Sequence, residues 1–208
     1  MDGTLIDSMG VWSDIDVEYL GERNIPFPED LHDSIAGKCF HDTAIYFKER
    51  FKLKESIEEI EAKWHEMSEY KYAHVVDLKP GAREFLDLLK GKGIKLGIAT
   101  SNSRALTELV LNNRNLSKYF DYVLTGCDTF KSKPDPEVYL TAAKGLNVSP
   151  DKCLVFEDIV PGIMAGKNAG MKVCGVDDKY SQSSTDLKKE KANYFIYSYY
   201  DILKEEIL

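Results

Sequence analysis

Four short stretches of this chain carry side chains able to do chemistry. "MDGT" opens the chain and supplies Asp2, with Gly3 and the hydroxyl of Thr4 behind it. The other three each close an apolar run or follow one: "GIATSN" ends in Thr100, Ser101 and Asn102, "KSKPDPE" carries Lys133, and "CLVFED" closes on Glu157 and Asp158. Carboxylates at this density suit Mg2+, a hard ion that takes oxygen ligands and commonly shares them with a substrate phosphate. A hydroxyl at Thr100 and an ammonium at Lys133 would serve that phosphate as donor and counter-charge. Singly, the stretches have plainer explanations. Asp-Gly-Thr is a common turn, Glu-Asp after a strand is a solvated helix start, and the prolines of "SKPDPE" can set up a helix with Lys133 in solvent. Their order at successive strand ends is what argues for a site.

The elements that must position these residues are legible in the hydrophobic pattern. From about residue 11 to 75, "VWSDIDVEYLGER", "HDTAIYFKERF" and "SIEEIEAKWHEMSEYKY" place apolar residues three and four apart, which predicts a block of helices without a strand. From "LKPGAREFLDLLKGKG" onward helices alternate with strand-like runs at "IKLGIAT", "DYVLTG", "KCLVFED", "MKVCGV" and "NYFIYS". That alternation predicts an α/β fold, a doubly wound parallel sheet covered on both faces. Asp135-Pro136 and Pro161-Gly162 are read as helix starts, and Gly170 as a helix end. Ligands of such sheets bind beyond the carboxyl ends of the strands, where the four stretches fall.

Composition excludes several classes of function. Apolar residues make up 43% and charged residues 30% of 208, enough for a core in a globular, soluble protein, and no apolar run approaches the roughly 18 residues of a membrane span. No basic region followed by an apolar one marks a signal peptide. A net charge of -8 without a basic stripe argues against nucleic acid as a partner. Cys39, Cys127, Cys153 and Cys174 stand singly, the last two in apolar runs read as buried strands; this is cytoplasmic usage, neither a disulfide frame nor a zinc site.

"DGTLIDS", "GIATSNS", "SKPDPEVY" and "VFEDIVPGIMAGKNAG", in this order, resemble the four motifs of the haloacid dehalogenase superfamily, in its phosphatase and β-phosphoglucomutase-like branch. The resemblance implies a Rossmann-like core over residues 1–10 and 79–208, with an inserted helical cap over 11–78. By position, Asp2 is similar to the acid/base that protonates the leaving group, with its backbone carbonyl on Mg2+. Thr100 resembles the hydroxyl that binds the phosphoryl group, with Ser101 and Asn102 beside it. Lys133 resembles the lysine that neutralises that group, Asp158 the Mg2+ ligand, and Glu157 a support for the metal through water. Ile159 stands where this branch often has a small Ser. The implied activity is Mg2+-dependent hydrolysis of a small phosphorylated metabolite, plausibly a sugar phosphate. A rim position for Lys133 further predicts that Lys133→Ala slows turnover without altering stability.

The opening departs from that pattern. The family carries Asp-x-Asp-Gly-Thr/Val, and its first Asp attacks phosphorus and ligates Mg2+. That Asp would precede Met1, which holds the middle position. The strand that delivers it would be central, between those ending at Thr100 and at Glu157-Asp158, so the expectation is two bare strand edges unless roughly ten upstream residues or another segment fills the place. Asp7, past the turn, is a poor substitute for the nucleophile and is expected to bracket the cap linker.

"SIAGKCFHDTA" resembles the cap loop that enters the active site, with Gly37 at its turn and Lys38 able to reach an anion. Phe40 stands where the mutases carry an Arg for a second phosphate, which favours simple hydrolysis. Lys38 and His41 can equally be solvated. Trp12, Tyr19, Tyr46, Phe47 and Trp64 read as the cap's own core before they read as a platform for a sugar ring. Alternatives are a phosphomutase, distinguished by an isomer as product, and a non-catalytic binding protein that keeps the pocket without the nucleophile. A true dehalogenase fits Asp2-Gly3 less well. Oligomeric state is left open.

Overall fold

The computed structural model describes residues 1–128 and 131–205, the side chains of Cys127 and Glu205 lying outside the description. Four helices come first: α1 (Met9–Gly21), α2 (Leu31–Ile35), α3 (Phe40–Phe51) and α4 (Ile57–His74). Their boundaries follow local chemistry. Ser56 and Glu59 form a reciprocal capping box that starts α4, each satisfying a backbone N–H of the other. Cys39 accepts from the Asp42 N–H at the start of α3. α2 is a short helix with no counterpart in the pattern read from the sequence.

An α/β unit follows: α5 (Ala82–Gly91), β1 (Gly97–Ala99), α6 (Arg104–Asn113), β2 (Tyr122–Leu124), α7 (Glu137–Leu146), β3 (Leu154–Glu157), α8 (Val160–Asn168), β4 (Lys172–Val176), α9 (Thr185–Lys191), β5 (Tyr194–Ile196) and α10 (Tyr199–Glu205). Every strand lies in an apolar run that predicted one, and every pairing is parallel. Pro136 precedes α7 and Pro161 sits in the first turn of α8, as the sequence signals required, and Ser103 caps α6. Cys174 is buried in β4, while Cys153 is only half-buried and precedes β3.

The sheet is split. β1 pairs with β2, β3 with β4 and β4 with β5, but β1 and β3 do not pair with each other. Between them runs a groove of about 480 Å3 lined by Met1, Leu5, Ile98, Val155 and Phe156 among others. The edges of β1 and β3 that face it carry no strand partner among the described residues. This agrees with the expectation of two bare edges, and no described segment fills the place. Residues 1–8 instead fold into a turn in which Leu5 accepts from the Lys79 N–H and Asp7 donates to Asp77, fixing the start of the chain against the α4–α5 connection.

One apolar cluster crosses from the helical block into the α/β unit. It joins Ile15, Tyr19 and Trp64 of α1 and α4 to Phe85, Ile98 and Val110 of α5, β1 and α6. A second cluster packs α7 and α8 onto β3 and β4. No helix is long and apolar enough to cross a membrane among the described residues.

Candidate active site

Asp2, Ser101, Asn102 and Asp158, from the ends of three α/β segments, line a cavity of about 660 Å3 together with Gly37 and Lys38 of the loop between α2 and α3. Thr100, Lys133 and Glu157 do not line it.

Asp2 is the most heavily anchored of these groups. Its Oδ1 accepts from Ser8 Oγ at 2.6 Å and from the Tyr72 hydroxyl, and its Oδ2 accepts from Asn102 Nδ2 at 3.1 Å. The Tyr72 hydroxyl in turn accepts from Trp12 Nε1 at 2.6 Å and Asn102 Nδ2 at 3.0 Å. Tyr72 is fully buried in α4, and burial, then the Asp2 charge, hold its phenol well above the ordinary range. Such a web fixes the carboxylate's position at a solvent-accessible cavity, which a proton-transferring group requires. Tyr72, Trp12 and Ser8 escaped the sequence reading: spaced as helix-core or cap residues, they carried no signal that they meet Asp2.

Asp158 lies against the turn of Gly3. Gly3 has φ +65, and a β-carbon there would collide with the Asp158 carboxylate, so only Gly permits the approach. Thr4 Oγ1 donates to Asp158 Oδ1 at 2.6 Å. Burial, then repulsion from Glu157, pushes the Asp158 carboxyl up to about 6.

Lys133 departs from expectation. Its side chain is 7% exposed and ion-paired with Glu157, which is 5% exposed. The Tyr139 hydroxyl donates to the same Glu157 Oε1. Burial alone would raise the Glu157 carboxyl, but the Lys133 ammonium outweighs it and holds the carboxyl below its usual range. Lys133 is therefore part of a buried pair, neither solvated nor free on the rim, and stability cannot be indifferent to it. Thr100 is likewise buried, its Oγ1 accepting from the Asn102 N–H at 3.2 Å and its own N–H bonding β2.

The loop from Gly37 to Phe40 is bolted to the α/β unit. The Phe40 N–H donates to the Ser101 carbonyl at 3.0 Å, and the Cys39 N–H to Ser132 Oγ at 3.2 Å. Gly37, at φ +83, sits where a β-carbon would press on Pro161 of α8. Lys38 reaches over the Tyr46 ring at 5.7 Å while lining the cavity. His41 is exposed and bonded to Glu61 at 2.9 Å, away from the cavity. The aromatics divide: Tyr19 and Phe47 are core, with Trp64 edge-on to both at 5.6 and 4.9 Å, whereas Trp12 and Trp64 also line the cavity.

The donor chemistry here suits a hard cation only in part. No group of three or more His, Cys, Asp or Glu side chains is gathered to hold a metal among the described residues. Glu157 is taken by Lys133 and Tyr139 and the Asp2 carboxylate by three neutral donors, whereas Asp158 has the Thr4 hydroxyl on one oxygen. Mg2+ is commonly bound through one or two carboxylates with water and substrate phosphate completing its shell, and a desolvated Asp158 at the cavity wall fits that mode.

A split parallel sheet, a helical block over its carboxyl ends and acidic side chains at the junction define a Rossmann-like α/β protein with its cavity under a helical cap. Residues 1–176 match the haloacid dehalogenase-like hydrolase family, and the chain belongs to it. It is 34% identical over 172 residues to the phosphorylated carbohydrates phosphatase of Thermotoga maritima, a match covering 83% of this chain and 80% of that one. It is 30% identical over 179 residues to the validoxylamine A 7'-phosphate phosphatase of Streptomyces hygroscopicus subsp. limoneus, covering 85% and 82%. The fold superposes on CbbY from Rhodobacter sphaeroides, solved with phosphate, at a TM-score of 0.86 with 21% identity over 97% of this chain and 93% of that one. At that identity the likeness speaks for the fold alone.

Proposed function

We propose that this chain is a phosphatase that hydrolyses a small phosphorylated metabolite, with residues 1–10 and 79–208 as the catalytic core and 11–78 as the cap. The observation that carries this reading is the Asp2 carboxylate, fixed by Ser8, Tyr72 and Asn102 at a cavity that Asp158 also lines. Family membership and relatives named as phosphatases support it.

Asp2 acts as the acid and then the base. As the ester P–O bond breaks, the Asp2 carboxyl gives its proton to the leaving alcohol oxygen; in the second step the carboxylate takes a proton from the attacking water. Tyr72 and Asn102 hold it in line and Ser101 and Asn102 bind the substrate, while Thr100 and the Lys133–Glu157 pair, buried and off the cavity wall, brace the strand ends that carry these groups. Asp158 and the Asp2 carbonyl would hold Mg2+, which when bound supplies positive charge to the phosphoryl oxygens. The family's phosphoryl acceptor, an Asp two residues ahead of Asp2, falls outside residues 1–208.

The cap loop favours hydrolysis over the mutase reading, since Phe40 stands in place of an Arg for a second phosphate. Phosphate release from a panel of monoesters, with and without Mg2+, tests the reading in a chain extended upstream through the acceptor Asp. Release that is unchanged by Asp2→Asn would overturn it.

A further inference from the structure

Among the lysines and arginines of the described residues, Lys188 of α9 alone is fully buried, at 0% exposure, and nothing in the proposed reaction uses it. Its Nζ donates to Ser181 Oγ at 2.9 Å and to the Val176 carbonyl at 3.3 Å, both neutral acceptors. Asp178, beyond the end of β4, is taken instead by Lys79 at 2.6 Å. A buried ammonium held by neutral oxygens is costly, so its presence here calls for a role beyond filling space. Burial lowers this ammonium from its usual value, and the Asp158, Asp177 and Asp178 carboxylates draw it back, so the charge is felt at the carboxyl ends of β3 and β4.

The direction of the hydrogen bonds follows from donor count. An ammonium has protons to give and no lone pair, so Ser181 Oγ must accept from Lys188, and the one Ser181 hydroxyl proton is left for a carbonyl. The Asp158 carbonyl stands 2.9 Å away and the Asp178 carbonyl 3.3 Å, so the better bond goes to Asp158. That carbonyl lies just outside the sheet. The last register pair between β3 and β4 joins Glu157 to Gly175, which leaves Asp158 beyond the ladder with a backbone oxygen that needs a partner. Thr4 Oγ1 holds the Asp158 side chain, and Ser181 holds its backbone. Ser181 is itself set by its N–H on the Asp178 carbonyl and by Ser184 Oγ, which donates to its own carbonyl at 2.9 Å.

We propose that Lys188 is a positioning residue for Asp158: through Ser181 it fixes the backbone of the carboxylate that would hold the divalent cation, and so the direction from which that carboxylate meets the cavity. The sign of its charge argues for geometry as the contribution. An ammonium felt at Asp158 repels a cation bound there, so Lys188 does not serve that cation by charge. This inference rests on the reading of Asp158 as the cation's ligand.

Cation binding tests it without turnover. Mn2+, which takes oxygen ligands in the same octahedral arrangement as Mg2+, is titrated into the wild-type chain, Asp158→Asn, Lys188→Met, Ser181→Ala and Ser181→Thr, and followed by water-proton relaxation. Asp158→Asn should abolish binding, which locates the cation. Lys188→Met keeps the bulk of the stem and removes the buried charge, so its melting temperature should stay level or rise. The expected Kd for Mn2+ rises about tenfold in Lys188→Met and in Ser181→Ala, the lower end of what a partner behind a metal ligand contributes. Ser181→Thr, which keeps the hydroxyl, should bind as the wild type does. Combining Lys188→Met with Ser181→Ala should add little, because both break one relay. Unchanged or tighter Mn2+ binding in Lys188→Met overturns the proposal, the second outcome showing an ammonium that acts by repulsion alone. Weaker binding with a melting temperature lowered in step makes Lys188 a structural brace and overturns it as well. If Lys188→Met does not fold, Ser181→Ala against Ser181→Thr decides, and equal affinities overturn the relay. Should the wild type and Asp158→Asn bind Mn2+ alike, the cation reading of Asp158 falls, and the proposal with it.

Discussion

The Tyr72 hydroxyl donates to Asp2 Oδ1, joining a buried residue of helix α4 to the turn at the start of the chain, 70 residues away. The helical block thereby takes part in holding the acid/base of the proposed reaction. Tyr72→Phe removes that donor and the acceptor of Trp12 Nε1 and Asn102 Nδ2 in one change. The expected outcome is a stability loss of about 1 to 3 kcal/mol by urea denaturation. In the upstream-extended chain, kcat should fall about tenfold while KM changes little, because orientation of the proton donor matters in the transition state. Unchanged stability and turnover would mean that the web around Asp2 is incidental.

Asp16 predicts a pH dependence of stability. Its carboxyl is raised from 3.8 to about 7 by burial, with His32 and, at the cavity wall, Asp33 as the titratable groups nearby. A carboxyl whose folded-state value is raised binds its proton more tightly in the folded chain. Its contribution therefore favours folding at low pH and is lost as pH climbs from about 4 to about 7. Relative to Asp16→Asn, the wild type should lose on the order of 4 kcal/mol across that window. Parallel stability curves for the two proteins between pH 4 and 8 would show that the carboxyl does not titrate there.

The Lys133–Glu157 pair makes a prediction opposite to the one drawn from sequence. Lys133→Ala leaves a buried carboxylate without its counter-charge, a loss on the order of 3 to 5 kcal/mol. The melting temperature should drop clearly, and adding Glu157→Gln to the same chain should restore much of it. A melting temperature indifferent to Lys133→Ala would instead place the ammonium in solvent.

The groove between β1 and β3 predicts how an added strand behaves. A chain extended upstream by about ten residues, reading as an apolar strand that ends in Asp, can bond both bare edges at once. Relative to residues 1–208 alone, the extended chain should melt higher and protect the amides of β1 and β3 from hydrogen exchange. It should also release phosphate from monoesters, whereas 1–208 alone releases none by a covalent route. Equal melting, exchange and turnover in both would remove the groove from the mechanism.

Much of this was legible in the sequence because local signals dictated it. The five strands sit in the five short apolar runs, and Pro136 and Pro161 start the helices they were read to start. Asp2, Ser101, Asn102, Asp158, Gly37 and Lys38 come together on one cavity, as strand ends and the cap loop of this fold must. What escaped depends on partners far away along the chain. Nothing near Lys133 announces that its ammonium turns inward to Glu157, 24 residues on. Trp12 and Tyr72 have the spacing of ordinary helix-core aromatics, and only the folded chain shows that their polar atoms meet over Asp2.

The apolar cluster that runs unbroken from Ile15, Tyr19 and Trp64 into Phe85, Ile98 and Val110 bears on how the chain comes apart. Two units with separate cores can melt in sequence; here neither unit can loosen without exposing apolar surface of the other. Heat should therefore produce one calorimetric peak, with the calorimetric and van't Hoff enthalpies equal. The same continuity means that a destabilising change in the helical block is felt throughout the molecule, so variation in that block for the sake of a new substrate is limited by the cooperativity of the whole.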